Sequence, residues 1–141
     1  SAPLAGSMSL RLTDLPEQIV PGEDLSGSLA GLGAEQPALL LLDPSGRLQN
    51  ASSLIGGDAA AFRLPSVRFA PPAGMAAWPE GSQFLLLAMT SETALPMVEG
   101  IPGNMRIPAD QVSRFWDLLA PDIRSQRRPV RAVLQAIPVA P

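Results

Sequence analysis

The stretch Ala38-Leu39-Leu40-Leu41-Leu42-Asp43-Pro44-Ser45-Gly46-Arg47 decides the fold class. A continuous apolar run ends in a tetrapeptide with the residues a type I turn prefers: Asp first, Pro second and Gly fourth. Arg47–Ser52 is expected to return as a shorter, polar strand, making the stretch a β-hairpin.

Outward from the hairpin the same grammar recurs. Met8, Leu10 and Leu12 alternate with Ser9, Arg11 and Thr13, the period of a half-buried strand. Pro21-Gly22-Glu23-Asp24 marks a turn, and Leu25, Gly27 and Leu29 alternate with Ser26 and Ser28. Gly31-Leu32-Gly33 reads as a turn, because no third glycine or helix follows to complete a phosphate loop. Phe62 and Leu64 share one face of a strand, as do Val67 and Phe69; Pro65 between the pairs predicts a kink, a bulge or an edge. Pro71–Gly74 and Pro79–Gly81 bracket a loop that carries Trp78. Phe84–Met89 is apolar on both faces and therefore predicts a central strand. Val130–Val139 supplies a terminal strand. With 16 Pro and 12 Gly spread along the chain, short apolar runs between frequent turns predict a mainly β protein.

One segment has a different period. Val112, Phe115, Trp116 and Leu119 fall at i, i+3, i+4 and i+7, the apolar stripe of a helix over Pro108–Ala120. Pro108 suits its first turn, Asp110 complements the positive end of its dipole, and Pro121 closes it. The expected architecture is a single-domain β-sandwich with one packed α-helix near the C-terminus. It occupies residues 8–141, with 1–7 read as a linker or tag remnant.

Composition narrows the chemistry. The 141 residues include no Cys, His, Tyr or Lys. Disulfides, thiolate or imidazole metal sites, an imidazole base and Schiff-base chemistry are excluded by side-chain inventory alone. An apolar fraction of 46% with 16% charged residues suits a packed core. A net charge of −3 lacks the basic excess that a nucleic-acid binder uses to neutralise phosphates. The longest apolar runs, Ala38–Leu42 and Phe84–Met89, fall far short of the ~20 residues a transmembrane helix needs, so no membrane insertion is expected. No charged n-region with a hydrophobic h-region opens the chain, so an intact signal peptide is not expected.

The candidate contact residues are few. Arg124, Arg127 and Arg128, with Arg131 nearby, form the densest charge feature. They read either as a bidentate site for a phosphate or an acidic partner surface, or as a solvated connection between helix and last strand. Trp78 reads either as an exposed aromatic contact or as the cap of one end of the sandwich. Phe115 and Trp116 read either as an exposed hot spot or, by their helical spacing with Val112 and Leu119, as core packed against the sheet. The acids Asp14, Glu17, Glu23 and Asp24 match no Ca²⁺ loop and read as turn chemistry. Serine without His or Lys has no obvious base. The chain is therefore expected not to be an enzyme, and no catalytic residue, cofactor or metal is assigned. The loops Pro71–Gly81 and Glu99–Ile107 are the expected places of contact.

From Leu39–Leu42 through Asp43-Pro44-Ser45-Gly46-Arg47-Leu48 and Asn50, the chain resembles a bacterial domain family. This is the uncharacterised β-rich domain found C-terminal to serine/threonine protein kinases and caspase-like peptidases. Phe62-Arg63-Leu64-Pro65, the later Pro/Gly loop, and Phe84–Met89 followed by Thr90-Ser91-Glu92 match the same pattern, roughly over Leu25–Val139. The resemblance implies a β-rich accessory module with no catalytic residues, one that displays surfaces for recognition or regulates an attached enzyme. The expected function is a non-catalytic module binding a protein or peptide within a larger bacterial protein. The alternative is a secreted or periplasmic domain that binds cell-wall material or acts structurally in an envelope complex.

Overall fold

The computed structural model describes residues 9–33, 36–56, 60–91, 104–106 and 131–141. They form β1 (Arg11–Thr13), β2 (Leu25–Ala30), β3 (Gln36–Leu42), β4 (Arg47–Asn50), β5 (Ile55–Gly56), β6 (Ala61–Leu64), β7 (Gln83–Ser91), β8 (Asn104–Arg106) and β9 (Arg131–Pro138). The strands build two sheets, a four-stranded one ordered β1-β2-β6-β5 and a five-stranded one ordered β8-β4-β3-β7-β9. Every paired strand is antiparallel. The mainly β sandwich expected from the sequence is the fold observed.

The sandwich is organised around the β3–β7 ladder, which runs from Gln36↔Ser91 to Leu42↔Leu85. Leu39 and Leu41 on β3, Phe84, Leu86 and Ala88 on β7 and Ile137 on β9 form one core with Leu25, Leu29, Phe62 and Leu64 of the four-stranded sheet. Side chains alternate along a strand, so Leu40, Leu42, Leu87 and Met89 lie on the opposite face. They too are buried, as is Leu48 across from Leu42. β7 therefore lies between β3 and β9 with both faces covered, as its unbroken apolar run predicts. The four-stranded sheet is one-sided: Ser26, Ala61 and Arg63 are exposed while Leu25, Phe62 and Leu64 are buried.

The Asp43–Gly46 turn forms as expected. The Gly46 N–H donates to the Asp43 carbonyl at 3.1 Å, and the Asp43 N–H donates to the Arg47 carbonyl at 2.9 Å. The Asp43 carboxylate locks the turn: its Oδ1 accepts from Ser45 N–H at 2.8 Å, Ser45 Oγ at 2.7 Å and Arg47 N–H at 2.9 Å. This is the hydrogen-bonding habit that makes Asp a turn initiator.

Three expectations require correction. Val67 and Phe69 do not share a strand face: Ser66–Phe69 is a 3-10 turn, with Phe69 buried and Val67 71% exposed. Pro65 has no N–H to continue a ladder, and it ends β6 at Leu64. Ile55–Gly56, where the stretch Gly56-Gly57-Asp58 reads from sequence only as a break in the chain, pairs with β6. Within the expected loop Glu99–Ile107, Asn104–Arg106 is an edge strand on β4. The expected helix Pro108–Ala120 lies outside the described residues.

Gly31 and Gly22 share a φ of +85°, but their surroundings differ. A Cβ at Gly31 would lie 2.3 Å from the Ser9 carbonyl oxygen, whereas one at Gly22 would meet nothing within 4 Å. Gly22→Ala is expected to cost only the left-handed backbone penalty of about 1–2 kcal/mol. Gly31→Ala should cost about 1–3 kcal/mol more, because the backbone leading into β1 must move. Urea unfolding midpoints of the two variants give the comparison directly.

Candidate functional site

The larger of two concavities lined by described residues opens at the end of the sandwich where β2 and β7 begin and β6 and β9 end. It is a groove of about 990 Å³ whose lining comes from four segments: 19–22, 66–71, 76–81 and 139–141. Its walls are apolar: Ile19, Pro21, Val67, Pro71, Ala77 and Val139 contribute, and Glu80 supplies the one titratable side chain among the described residues of the lining. Val20 and Met75, 39% and 40% exposed, add apolar surface nearby.

Local sequence builds these walls from tight turns. Glu23 N–H donates to the Val20 carbonyl at 3.0 Å, Met75 to Pro72 at 3.0 Å and Ser82 to Pro79 at 3.1 Å. Each turn has glycine at its third position with positive φ, as a type II turn requires. Ser82 Oγ adds a second bond to the Pro79 carbonyl at 2.7 Å. The fourth wall is joined to the first by a parallel bridge between Ile19 and Val139.

Long-range polar contacts hold the inner wall, the Ser66–Phe69 turn. At its start, Ser66 N–H donates to Asp24 Oδ1 at 2.9 Å, and Arg63 Nε donates to Asp24 Oδ2 at 2.8 Å. In its middle, the Arg68 carbonyl accepts from Gln49 Nε2 at 2.8 Å and from Arg47 Nη2 at 3.3 Å. Arg68 Nη1 returns a bond to Gln49 Oε1 at 3.2 Å. Arg47 Nε also lies 3.3 Å from Asp43 Oδ2, which links this network to the β3–β4 turn. At the end, Trp78 Nε1 donates to the Phe69 carbonyl at 2.8 Å.

Trp78 therefore takes the capping role. It is half-buried and packs edge-on against Phe84 with ring centroids 5.6 Å apart at 90°, while Phe69 meets Phe84 at 5.2 Å and 68°. The indole's polar edge is committed inward and its ring contributes to the groove lining. The loop expected to make contacts, Pro71–Gly81, supplies much of that lining. Arg124, Arg127 and Arg128 lie outside the described residues. Arg131, at the start of β9, donates through Nη1 to the Gly31 carbonyl.

A second, more open depression of about 520 Å³ lies on the four-stranded sheet and includes Asp14, Ser26, Ser28 and Arg63. Arg63 is already engaged by Asp24 there, and the face is the solvated side of a one-sided sheet. Among the described residues no group of three or more acids is placed to hold a metal ion. No helix among them is long and apolar enough to cross a membrane. Comparison with family models, curated proteins and solved structures finds no match for this chain.

Asp24 ties the groove to pH. The Ser66 N–H first, and the Arg63 guanidinium second, favour its carboxylate and lower its pKa below the ordinary 3.8. A depressed folded-state pKa stabilises the protein fully above the ordinary value, and this contribution is lost as pH falls through the folded one. Asp24→Asn is therefore expected to flatten the decline of stability below about pH 4, read as the slope of unfolding midpoint against pH. Trp78→Phe keeps an aromatic ring but leaves the Phe69 carbonyl without its donor. It should cost about 1–3 kcal/mol in chemical denaturation.

Proposed function

We propose that this chain is a non-catalytic accessory module that recognises an extended, apolar segment of a protein or peptide in the groove beside Trp78. The observation that carries this reading is the groove itself. It is concave, apolar and pre-formed, and its walls include turns closed by their own hydrogen bonds; among the described residues of its lining Glu80 is the one acidic side chain. Ligand sites are characteristically apolar clefts with a few placed polar groups. Here the polar candidates facing a ligand are Ser66 and Glu80.

The resemblance over Leu25–Val139 supports the further reading that the module regulates a larger bacterial protein. Recognition of cell-wall glycans is less well supported. Sugar platforms present exposed aromatic faces, and Trp78 is half-buried with its N–H turned into the protein.

A random peptide library displayed on phage tests the proposal. The wild-type domain is expected to enrich apolar, charge-poor peptides that bind with micromolar affinity. Ala77→Arg, which places a guanidinium on the groove wall, should weaken the same synthetic peptides at least tenfold while leaving the circular dichroism spectrum unchanged. Equal enrichment by both proteins, or enrichment of glycan rather than peptide ligands in parallel titrations, would overturn the assignment.

A further inference from the structure

Among the described residues the two sheets have four edges, and three are short. β1, β5 and β8 have three, two and three residues. The fourth edge is β9, with eight residues, Arg-Ala-Val-Leu-Gln-Ala-Ile-Pro. Native sheets protect their edges by shortness, charge, proline or bulges, because an open edge templates another strand. β9 is long, its register on β7 runs without a bulge from Thr90↔Arg131 to Gln83↔Pro138, and it carries no charge between Ala132 and Pro138.

The direction of its backbone groups follows from its C-terminal end. Val139 N–H donates to the Ser82 carbonyl, toward β7, while the Pro138 carbonyl accepts from Ile19 N–H and Ala140 N–H donates to Ile19. In an antiparallel ladder alternate residues turn both backbone groups to the same side. Arg131, Val133, Gln135 and Ile137 therefore face β7, and Ala132, Leu134 and Ala136 face outward. Among the described residues no strand pairs with that outward edge. Past Ala136 it is closed, by Pro138, which has no N–H, and by Ile19. Ala132, Leu134, Gln135 and Ala136 are all exposed, Leu134 by 43%. Leu87 and Met89, opposite Leu134 and Ala132 on the same sheet face, are buried.

We propose that the β9 edge pairs with the β9 edge of a second copy of this chain, antiparallel about a two-fold axis through Leu134, and joins two five-stranded sheets into one. The outward residues read Ala132, Leu134, Ala136, which is symmetric about Leu134. A two-fold axis there sets Leu134 against Leu134 and Ala132 against Ala136. All of these stand on one sheet face, as opposed residues must. Leu134 exchanges both backbone bonds with its counterpart, and Ala132 exchanges both with Ala136. The Gln135 side chain, which donates to the Ala136 carbonyl at 3.1 Å, yields that acceptor to the incoming strand. No charged side chain opposes a like charge across the pairing. A ladder this short buries less than the ~1,200–2,000 Å² of a stable interface, so the dimer is a reversible one in the micromolar range. The surface is separate from the groove.

The absence of cysteine makes the test clean. A hydrogen-bonded antiparallel pair sets its Cα atoms about 5.5 Å apart, within the ~4.4–6.8 Å that a disulfide spans. In the full chain, Leu134→Cys is expected to form a disulfide-linked dimer under mild oxidation at least tenfold faster than Ala61→Cys, placed on the exposed face of β6. Analytical ultracentrifugation of the wild type should show mass rising toward the dimer with concentration, and Leu134→Arg should stay monomeric while its circular dichroism is unchanged. Equal cross-linking rates for the two cysteine variants would overturn the proposal. So would a wild type that remains monomeric at several hundred micromolar, including one whose β9 edge takes only an added peptide strand. Dimerisation that survives Leu134→Arg would equally overturn it.

Discussion

The structure depends on the antiparallel pairing of β3 with β7. Both strands are apolar at consecutive positions, so the ladder must be covered on both faces or not form at all. Leu39, Leu41, Leu86 and Ala88 are buried on one side, and Leu40, Leu42, Leu87 and Met89 on the other. Each fully buried leucine contributes about 1.5–3 kcal/mol relative to exposure, against about 0.5–1.5 kcal/mol for a typical internal hydrogen bond. Burial on this ladder therefore outweighs any turn or polar contact in the molecule. The remaining strands are placed by it: β9 and β4 extend it sideways, and the four-stranded sheet closes its inner face with Leu25, Phe62 and Leu64.

The groove follows from how the sandwich ends. At that end the chain must cross between sheets, and the Ser66–Phe69 turn does so while dropping Phe69 into the core against Phe84. Its backbone groups would be costly to leave unsatisfied. Asp24, the β4 residues Arg47 and Gln49, and Trp78 supply partners from three separate parts of the chain. The clamps leave the turn's outer surface, Val67 above all, as an apolar wall. A rigid scaffold carrying recognition on its end loops is a common division of labour in sandwiches.

Parts of this were legible locally. The hairpin at Asp43-Pro44-Ser45-Gly46 is encoded within four residues, and the central place of β7 is written in its unbroken apolar run. The Val67/Phe69 pairing was misleading because spacing by two does not report whether the intervening backbone still has a partner strand. Pro65 removed that partner. β8 carried no signal because three residues, Asn104-Met105-Arg106, become a strand only where β4 presents an edge. Trp78 was recognisable as either contact or cap. The bond to the Phe69 carbonyl, nine residues away, holds the indole as a cap, and its ring also lines the groove.

The sequence by itself determined which segments are extended, where they turn and which chemistries the side chains exclude, because these depend on near neighbours and on inventory. Tertiary structure alone decided that Ile19, Val67, Trp78 and Val139 share one groove, and that Asp24 and Gln49 brace its wall. It also decided that β9 lies beside β7 at one edge of the larger sheet, opposite β8. Those facts arise from contacts between residues tens of positions apart. No local period encodes them; they appear only when the β3–β7 ladder brings the ends of the strands together.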